Sequence, residues 1–326
     1  MAAKKKKGKK SNSGGFLSKA KKTVKICAAA ALALLLFALI FPLVHKTEKL
    51  QPREAAPFGE FVALDNGLTL RVQETGKGEP ALLLIHGFAA WGYTWNGNVP
   101  ELSKSRRVIV PDLPGFGFSD KPADADYGYP LFASSMLQLL DKKGVRRATL
   151  IGNSMGGGVA IRFAADYPDR VDKIVLVDSA GVKSDHFWGF KLISTPGVNS
   201  LMSSLNNPAT VKFILKRMIF HDKSVASSEK AQMYMLPFRT VGQTRAAATT
   251  INNITAFTDD DFSRVKAPVL IIWGEKDRLI SSAIASVFAR KLPGSKLVII
   301  PKCGHCPQEE QPETFNNIVK EFLDLK

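Results

Sequence analysis

Ala148-Thr-Leu-Ile-Gly-Asn-Ser-Met-Gly-Gly-Gly158 is the stretch that decides how this chain folds. Ala148 to Ile151 reads as a short buried strand, and Met155 to Tyr167 has the length and apolar spacing of a helix. Between them lies Gly152-Asn153-Ser154-Met155-Gly156. A strand that turns abruptly into a helix forces its middle residue into a strained conformation, and side chains two before and two after it would collide. Glycines occupy both of those places. Ser154 is thereby presented at the edge of a sheet and at the start of a helix, where the dipole favours developing negative charge. The alternative is a glycine-rich helix start with a capping serine. The strand–turn–helix setting favours a nucleophile elbow.

Working outward, the same kind of apolar run recurs at Ala81-Leu-Leu-Leu-Ile85, Val108-Ile-Val110, Ile174-Val-Leu-Val177, Val269-Leu-Ile-Ile272 and Lys296-Leu-Val-Ile-Ile300. Such runs suit strands buried on both faces. Helix-length segments lie between most of them, including Leu131–Lys142, Ser282–Lys291 and Pro312–Leu325. Alternating strands and helices predict an α/β fold, a mainly parallel sheet flanked by helices. Asp65-Asn66-Gly67 predicts a hairpin joining Phe61–Leu64 to Leu68–Val72. The long gap between Val177 and Val269 exceeds what one crossover helix needs, and it reads as an inserted helical cap at about 181–261.

A serine nucleophile needs a base, and the chain holds five histidines. His45 falls in a linker, His186 and His221 in the cap, and His86 in a loop where a shaping role is expected. His305, after the last strand, remains, and the order Ser, acid, His fits it. The orienting carboxylate is expected from Trp273-Gly-Glu-Lys-Asp277. Asp277 is preferred to Glu275 because it lies further into the loop, and Asp178 is the fallback at the end of the preceding strand. Oxyanion donors are expected from the backbone amides of Met155 and Phe88. Asp112 and Asp120, in the Pro-Gly-Phe-Gly loop, read as loop architecture.

Composition bounds the rest. The 326 residues carry a formal net charge of +16, which by itself resembles a nucleic-acid binder. Ten lysines and no acid occupy residues 1–25, whereas residues 54–326 carry only +4. The body therefore has no footprint for a polyanion, and no nucleic-acid partner is expected. Ile26 to Val44 contains no charge and, at about 1.5 Å per residue, spans roughly the hydrocarbon core of a bilayer. Its exit, Phe41-Pro-Leu-Val-His-Lys46, offers no small-x-small cleavage site. The expected organisation is a basic cytoplasmic tail (1–25), a transmembrane anchor (26–44), a linker (45–58) and a catalytic body (59–326) on the exported side.

Taken together, His86-Gly87-Phe88, Asp112-Leu-Pro-Gly-Phe-Gly-Phe-Ser-Asp120, Gly-Asn-Ser154-Met-Gly-Gly, Trp-Gly-Glu-Lys-Asp277 and Gly-His305-Cys-Pro-Gln-Glu-Glu-Gln-Pro312 resemble the α/β-hydrolase superfamily, in family order over about residues 59–326. Within it the chain is similar to membrane-anchored monoacylglycerol lipases, family V lipases and esterases, and serine-dependent C–C bond hydrolases. Dehalogenases and epoxide hydrolases place aspartate at the elbow, so Ser154 argues against both. The resemblance implies Ser154 as nucleophile, His305 as base and Asp277 as orienting acid, acting without cofactor or metal on short or medium acyl or monoacylglycerol-like esters. C–C cleavage of a dienoate and cofactor-free perhydrolysis use the same triad. A membrane-tethered binding protein is the remaining alternative, and the intact triad speaks against it. Cys303 and Cys306 bracket His305. Two cysteines and one histidine are too few for structural zinc, so buried free thiols are expected, with a short disulfide as the alternative in an oxidising compartment. Phe187, Trp188, Phe190, Phe213, Met218, Ile219 and Phe220 either line an acyl tunnel, face lipid or pack the cap's own core; the last is preferred for most.

Overall fold

The computed structural model describes residues 50–183 and 207–325. The anchor expected at Ile26–Val44 and the cap residues His186, Phe187, Trp188 and Phe190 lie outside them. No helix among the described residues is long and apolar enough to cross a membrane.

Eight strands, β1 (Glu60–Ala63), β2 (Thr69–Thr75), β3 (Ala81–Ile85), β4 (Val108–Pro111), β5 (Ala148–Asn153), β6 (Val171–Val177), β7 (Val269–Gly274) and β8 (Lys296–Ile300), make one sheet. Their order is β1-β2-β4-β3-β5-β6-β7-β8. β1 and β2 pair antiparallel, as do β2 and β4, and the pairings from β4 through β8 are parallel. The β1–β2 hairpin turns where Asn-Gly requires it: Gly67 adopts φ +82, and Asn66 Oδ1 accepts from the Leu68 amide at 3.1 Å.

The longer helices among the described residues are α1 (Tyr129–Lys142), α2 (Met155–Asp166), α3 (Pro208–Ile214), α4 (Ser228–Met235), α5 (Gln243–Asn253), α6 (Ala283–Lys291) and α7 (Pro312–Phe322). Strand periodicity divides the core between the two faces of the sheet. Leu83 and Ile85 join Leu150, Ile174 and Ile271 beneath Phe132 and Met136 of α1, Val159 and Phe163 of α2, and Phe288 of α6. Leu82 and Leu84 point the other way, joining Val110, Ile151, Val175 and Ile272 against Trp95, Phe315 and Val319. Burial of each such side chain contributes about 1.5–3 kcal/mol, which is why a strand with all five residues buried, such as β3, reads as a continuous apolar run.

Between β6 and β7 stand α3, a π-helical turn at Leu215–Ile219, α4 and α5. Leu215, Phe220, Ala226 and Ala231 form a separate small core together with Cys306. Phe220 therefore packs inward as expected, whereas Phe213 and Met218 are exposed, at 60% and 41%. Phe262, near the expected end of the cap, belongs to the main core instead, edge-on to Phe288 at 5.9 Å. From Leu50 onward, the stretch expected as linker is also more ordered than its composition suggested. Pro52–Ala55 forms a helical turn, and Leu50 bridges to Thr240, with the Leu50 amide donating to Arg239 O at 3.1 Å. Pro52 at the first helical position and a capping box between Gln51 and Glu54 account for the turn.

Candidate active site

Ser154 joins the end of β5 to the start of α2 with φ +55 and ψ −118, a conformation that L residues rarely adopt. Its amide donates to Val177 O on β6 at 2.9 Å, which fixes the turn to the sheet. The flanking glycines are obligatory: a Cβ on Gly152 would stand 2.2 Å from Gly156 O, and one on Gly156 would stand 2.2 Å from Ile85 O. Ser154 itself is half-buried.

His305 and Asp277 come from loops beyond β8 and β7. His305 Nδ1 lies 2.7 Å from Asp277 Oδ2, and both side chains are buried. The second Asp277 oxygen accepts from the amides of Leu279 at 2.7 Å and Ile280 at 3.1 Å. Burial alone would raise the Asp277 carboxyl. The facing charge of His305 and hydrogen bonds from His305 and the Ile280 amide outweigh it, holding Asp277 below the usual carboxylate range. With Nδ1 engaged by Asp277, Nε2 is the ring nitrogen open to a proton from outside.

Asn153, adjacent to the serine, brings the histidine loop to the elbow. Its Nδ2 donates to His305 O at 3.1 Å and to Val177 O at 3.2 Å, and its Oδ1 faces Cys306 Sγ at 3.7 Å. The loop after β3 closes in from the other side: a Cβ on Gly87 would lie 3.3 Å from Ser154 Cβ. Phe88 follows directly, and then Ala89 at φ +57. Met155 is the first residue of α2, so its amide has no acceptor within the helix. The five expected site residues, Ser154, Asp277, His305, Phe88 and Met155, therefore converge on the carboxyl ends of β3, β5, β7 and β8, where sites in such sheets gather. A groove of about 730 Å³ lined by Phe262, Pro268, Val269 and Arg290 lies at the amino end of β7 and shares none of them.

His86 shapes the loop, as its position suggested. It is fully buried, and Nε2 accepts from the Leu113 amide at 2.9 Å. Burial lowers its pKa despite Asp112 nearby. Asp112 is architectural too, accepting from the amides of Gly92 and Phe118 at 2.8 Å and pairing with buried Arg71. Cys303 and Cys306 are free and buried, with burial pushing both thiols up. Glu275, the alternative acid, faces outward and caps the Lys302 amide at 3.0 Å.

Sequence reasoning missed the residues that hold the histidine loop. Glu310 accepts from the amides of Gly304 at 2.9 Å, His221 at 3.1 Å and Asp222 at 2.7 Å. Glu309 is buried, pairs with Lys230 of α4 at 2.8 Å and accepts from Tyr234. The His305 amide donates to Ile219 O at 2.8 Å. The two glutamates stand four and five residues after His305, a visible signal whose partners come from elsewhere in the chain.

Residues 80–312 match the family described as alpha/beta hydrolase fold. A 2-hydroxy-6-oxononadienedioate/2-hydroxy-6-oxononatrienedioate hydrolase of Burkholderia vietnamiensis is 33% identical over 275 residues, covering 80% of this chain and 93% of its own. Among solved structures, a meta-cleavage product hydrolase from Pseudomonas fluorescens superposes with a TM-score of 0.72 at 27% identity, covering 82% of this chain and 97% of that one. A bacterial membrane phospholipase A superposes with a TM-score of 0.67 at 27% identity, covering 94% of this chain and 98% of that one.

Proposed function

The chain belongs to the alpha/beta hydrolase fold family, and on that premise we propose that it is a serine hydrolase of short or medium acyl or monoacylglycerol-like esters, with Ser154, His305 and Asp277 as its triad. The observation that carries this reading is the buried 2.7 Å His305–Asp277 pair, tied through Asn153 to the strained Ser154 turn. Ser154 Oγ attacks the ester carbonyl while His305 Nε2 takes its proton, and Asp277 holds the tautomer and stabilises the imidazolium. The amides of Phe88 and Met155 bind the oxyanion; losing one such donor typically costs about 2.7–4 kcal/mol. His305 then protonates the departing alcohol. It next deprotonates a water that attacks the acyl-enzyme, releasing the acid and restoring Ser154 Oγ–H. No step calls on a cofactor or metal.

The ester reading is favoured by the likeness to a bacterial membrane phospholipase A, 27% identical over 94% of this chain. Together with the charge-free span Ile26–Val44 and the lysines before it, that likeness supports a lipid-facing enzyme held by this span, with the lysine arm in the cytoplasm and the body exported. C–C bond cleavage is the second reading, favoured by the 33% identity to a dienoate hydrolase. A p-nitrophenyl ester series from acetate to palmitate, run beside a 2-hydroxy-6-oxo-dienoate, separates the two. Ester turnover abolished in Ser154→Ala supports the first; turnover of the dienoate alone overturns it. Carbonate extraction of membranes tests the anchor: release of the full chain into the supernatant refutes it.

A further inference from the structure

Asp178 immediately follows β6, and nothing in the triad as described uses it. Its backbone takes φ +44, a costly conformation for a residue other than glycine, and its amide donates to Ile272 O at 3.0 Å. The side chain is wholly buried. Oδ1 accepts from the Gly274 amide at 3.0 Å, while Oδ2 is buried without a partner. Asp178, Asp277 and His305 each place one atom within 4.8 Å of the others.

Two buried carboxyls this close cannot both stay ionised beside a single imidazole. Donor count decides which keeps the charge. Asp277 accepts from His305 and from two backbone amides, whereas Asp178 accepts from one amide. A proton on Asp178 Oδ2 also removes the orphaned acceptor, turning it into a donor with Asp277 as its acceptor.

Building on the triad reading above, we propose that Asp178 is a positioning residue: as the neutral acid it donates a hydrogen bond to Asp277 and holds that carboxylate against His305. The groups around it point the same way. Burial, then the negative charge of Asp277 and more distantly of Glu310, raises its pKa well above the usual range, and the thiols of Cys303 and Cys306 beside it carry no charge to offset them. The fallback acid of the sequence reading thus acquires a different task, behind Asp277 and not in place of it.

The test compares Asp178→Asn with Asp178→Ala. The amide of the first can still donate to Asp277 and accept from Gly274; the second does neither. Asp178→Ala is expected to lose about tenfold to a hundredfold in kcat. Its acidic limb of kcat/KM should move upward, because a carboxylate stripped of a donor attracts the imidazolium proton more strongly. Asp178→Asn should recover most of the lost kcat with its acidic limb on that of the wild type. Infrared difference spectra of wild type against Asp178→Asn at neutral pH should show the carbonyl band of a protonated carboxyl. That spectrum needs no turnover, so it stands or falls separately from the triad, which fluorophosphonate labelling of Ser154 tests on its own. A downward shift of the acidic limb in Asp178→Asn, or no protonated-carboxyl band, would show an ionised Asp178 and overturn the proposal. Activity lost on chelation and restored by zinc would overturn it equally, assigning the three groups to a cation.

Discussion

Asp277→Asn is the most demanding test of the triad, because the structure dictates which way the new amide must face. Asp277 Oδ1 accepts from the amides of Leu279 and Ile280 at 2.7 and 3.1 Å, while Oδ2 faces His305 Nδ1 at 2.7 Å. The amide oxygen must take the first place, since an NH2 group there would set donors against two backbone N–H groups. Reversing it would leave both N–H groups unpaired in a buried loop, at about 1–3 kcal/mol each. The NH2 group therefore faces His305 and donates to Nδ1, which forces the proton onto Nε2. An imidazole in that tautomer cannot take the Ser154 proton. The wrong-tautomer penalty is about 10⁴ in kcat, or about 5.4 kcal/mol in barrier height. Steady-state kinetics on p-nitrophenyl butyrate should show that loss in kcat with KM within about threefold, since no ground-state contact changes. The rate of fluorophosphonate labelling should fall in parallel. A variant retaining kcat within about tenfold of wild type would refute the orientation argument and with it the role of Asp277.

Other outcomes follow from the same geometry. Gly156→Ala drives a methyl to 2.2 Å from Ile85 O and 2.7 Å from His86 O, both backbone, and should destabilise the body by about 3 kcal/mol or more in urea melts; an unchanged midpoint would show that the elbow can relax. An acid whose folded pKa is raised binds a proton on folding, so Asp178 destabilises the fold increasingly as pH rises above about 4, by up to about 1.4 kcal/mol per unit until its folded value is passed. Asp178→Asn should accordingly melt higher than wild type at neutral pH and lose that advantage near pH 4; a difference independent of pH refutes the shift. Lys230→Ala strands the buried Glu309 carboxyl and should cost about 2–3 kcal/mol, less if Glu309 takes up a proton; thermal melts below and above neutral pH read both effects. Cys303 and Cys306 should resist iodoacetamide in the native protein and react once unfolded, as peptide mapping would show; prompt native labelling contradicts their burial.

The residues on which the fold depends are visible in the chain because their signals are local. Apolar runs mark the strands, and β3 and β8 coincide with their expected limits at Ala81–Ile85 and Lys296–Ile300. The turn Gly152-Asn-Ser-Met-Gly156 declares itself because steric collision over five residues leaves glycine no substitute. Chain order and loop position alone singled out Asp277 and His305 as the expected acid and base, and the structure pairs their side chains. Other features were not visible from chain position. The short helical turns Val99–Leu102 and Pro307–Glu310 are too brief for periodicity to register. The Leu50–Thr240 bridge gives the linker a partner nearly two hundred residues away.

The amino-acid order alone determined the alternation of strands and helices, the glycine-flanked turn that presents Ser154 and the separation of a basic arm and apolar span from an ordinary body. These depend on interactions between near neighbours, on periodicity and on net charge, which are properties of a string. Tertiary structure decided which oxygen of Asp277 meets His305, how Asn153 carries the histidine loop to the serine, and where Glu309 and Glu310 hold that loop to α4 and to residues 221–222. It also placed Asp178 behind Asp277, from a strand about one hundred residues earlier. Protonation, orientation and burial arise only when distant segments share one dry space, because a charge responds to its distance from other charges and from water, and sequence separation encodes neither.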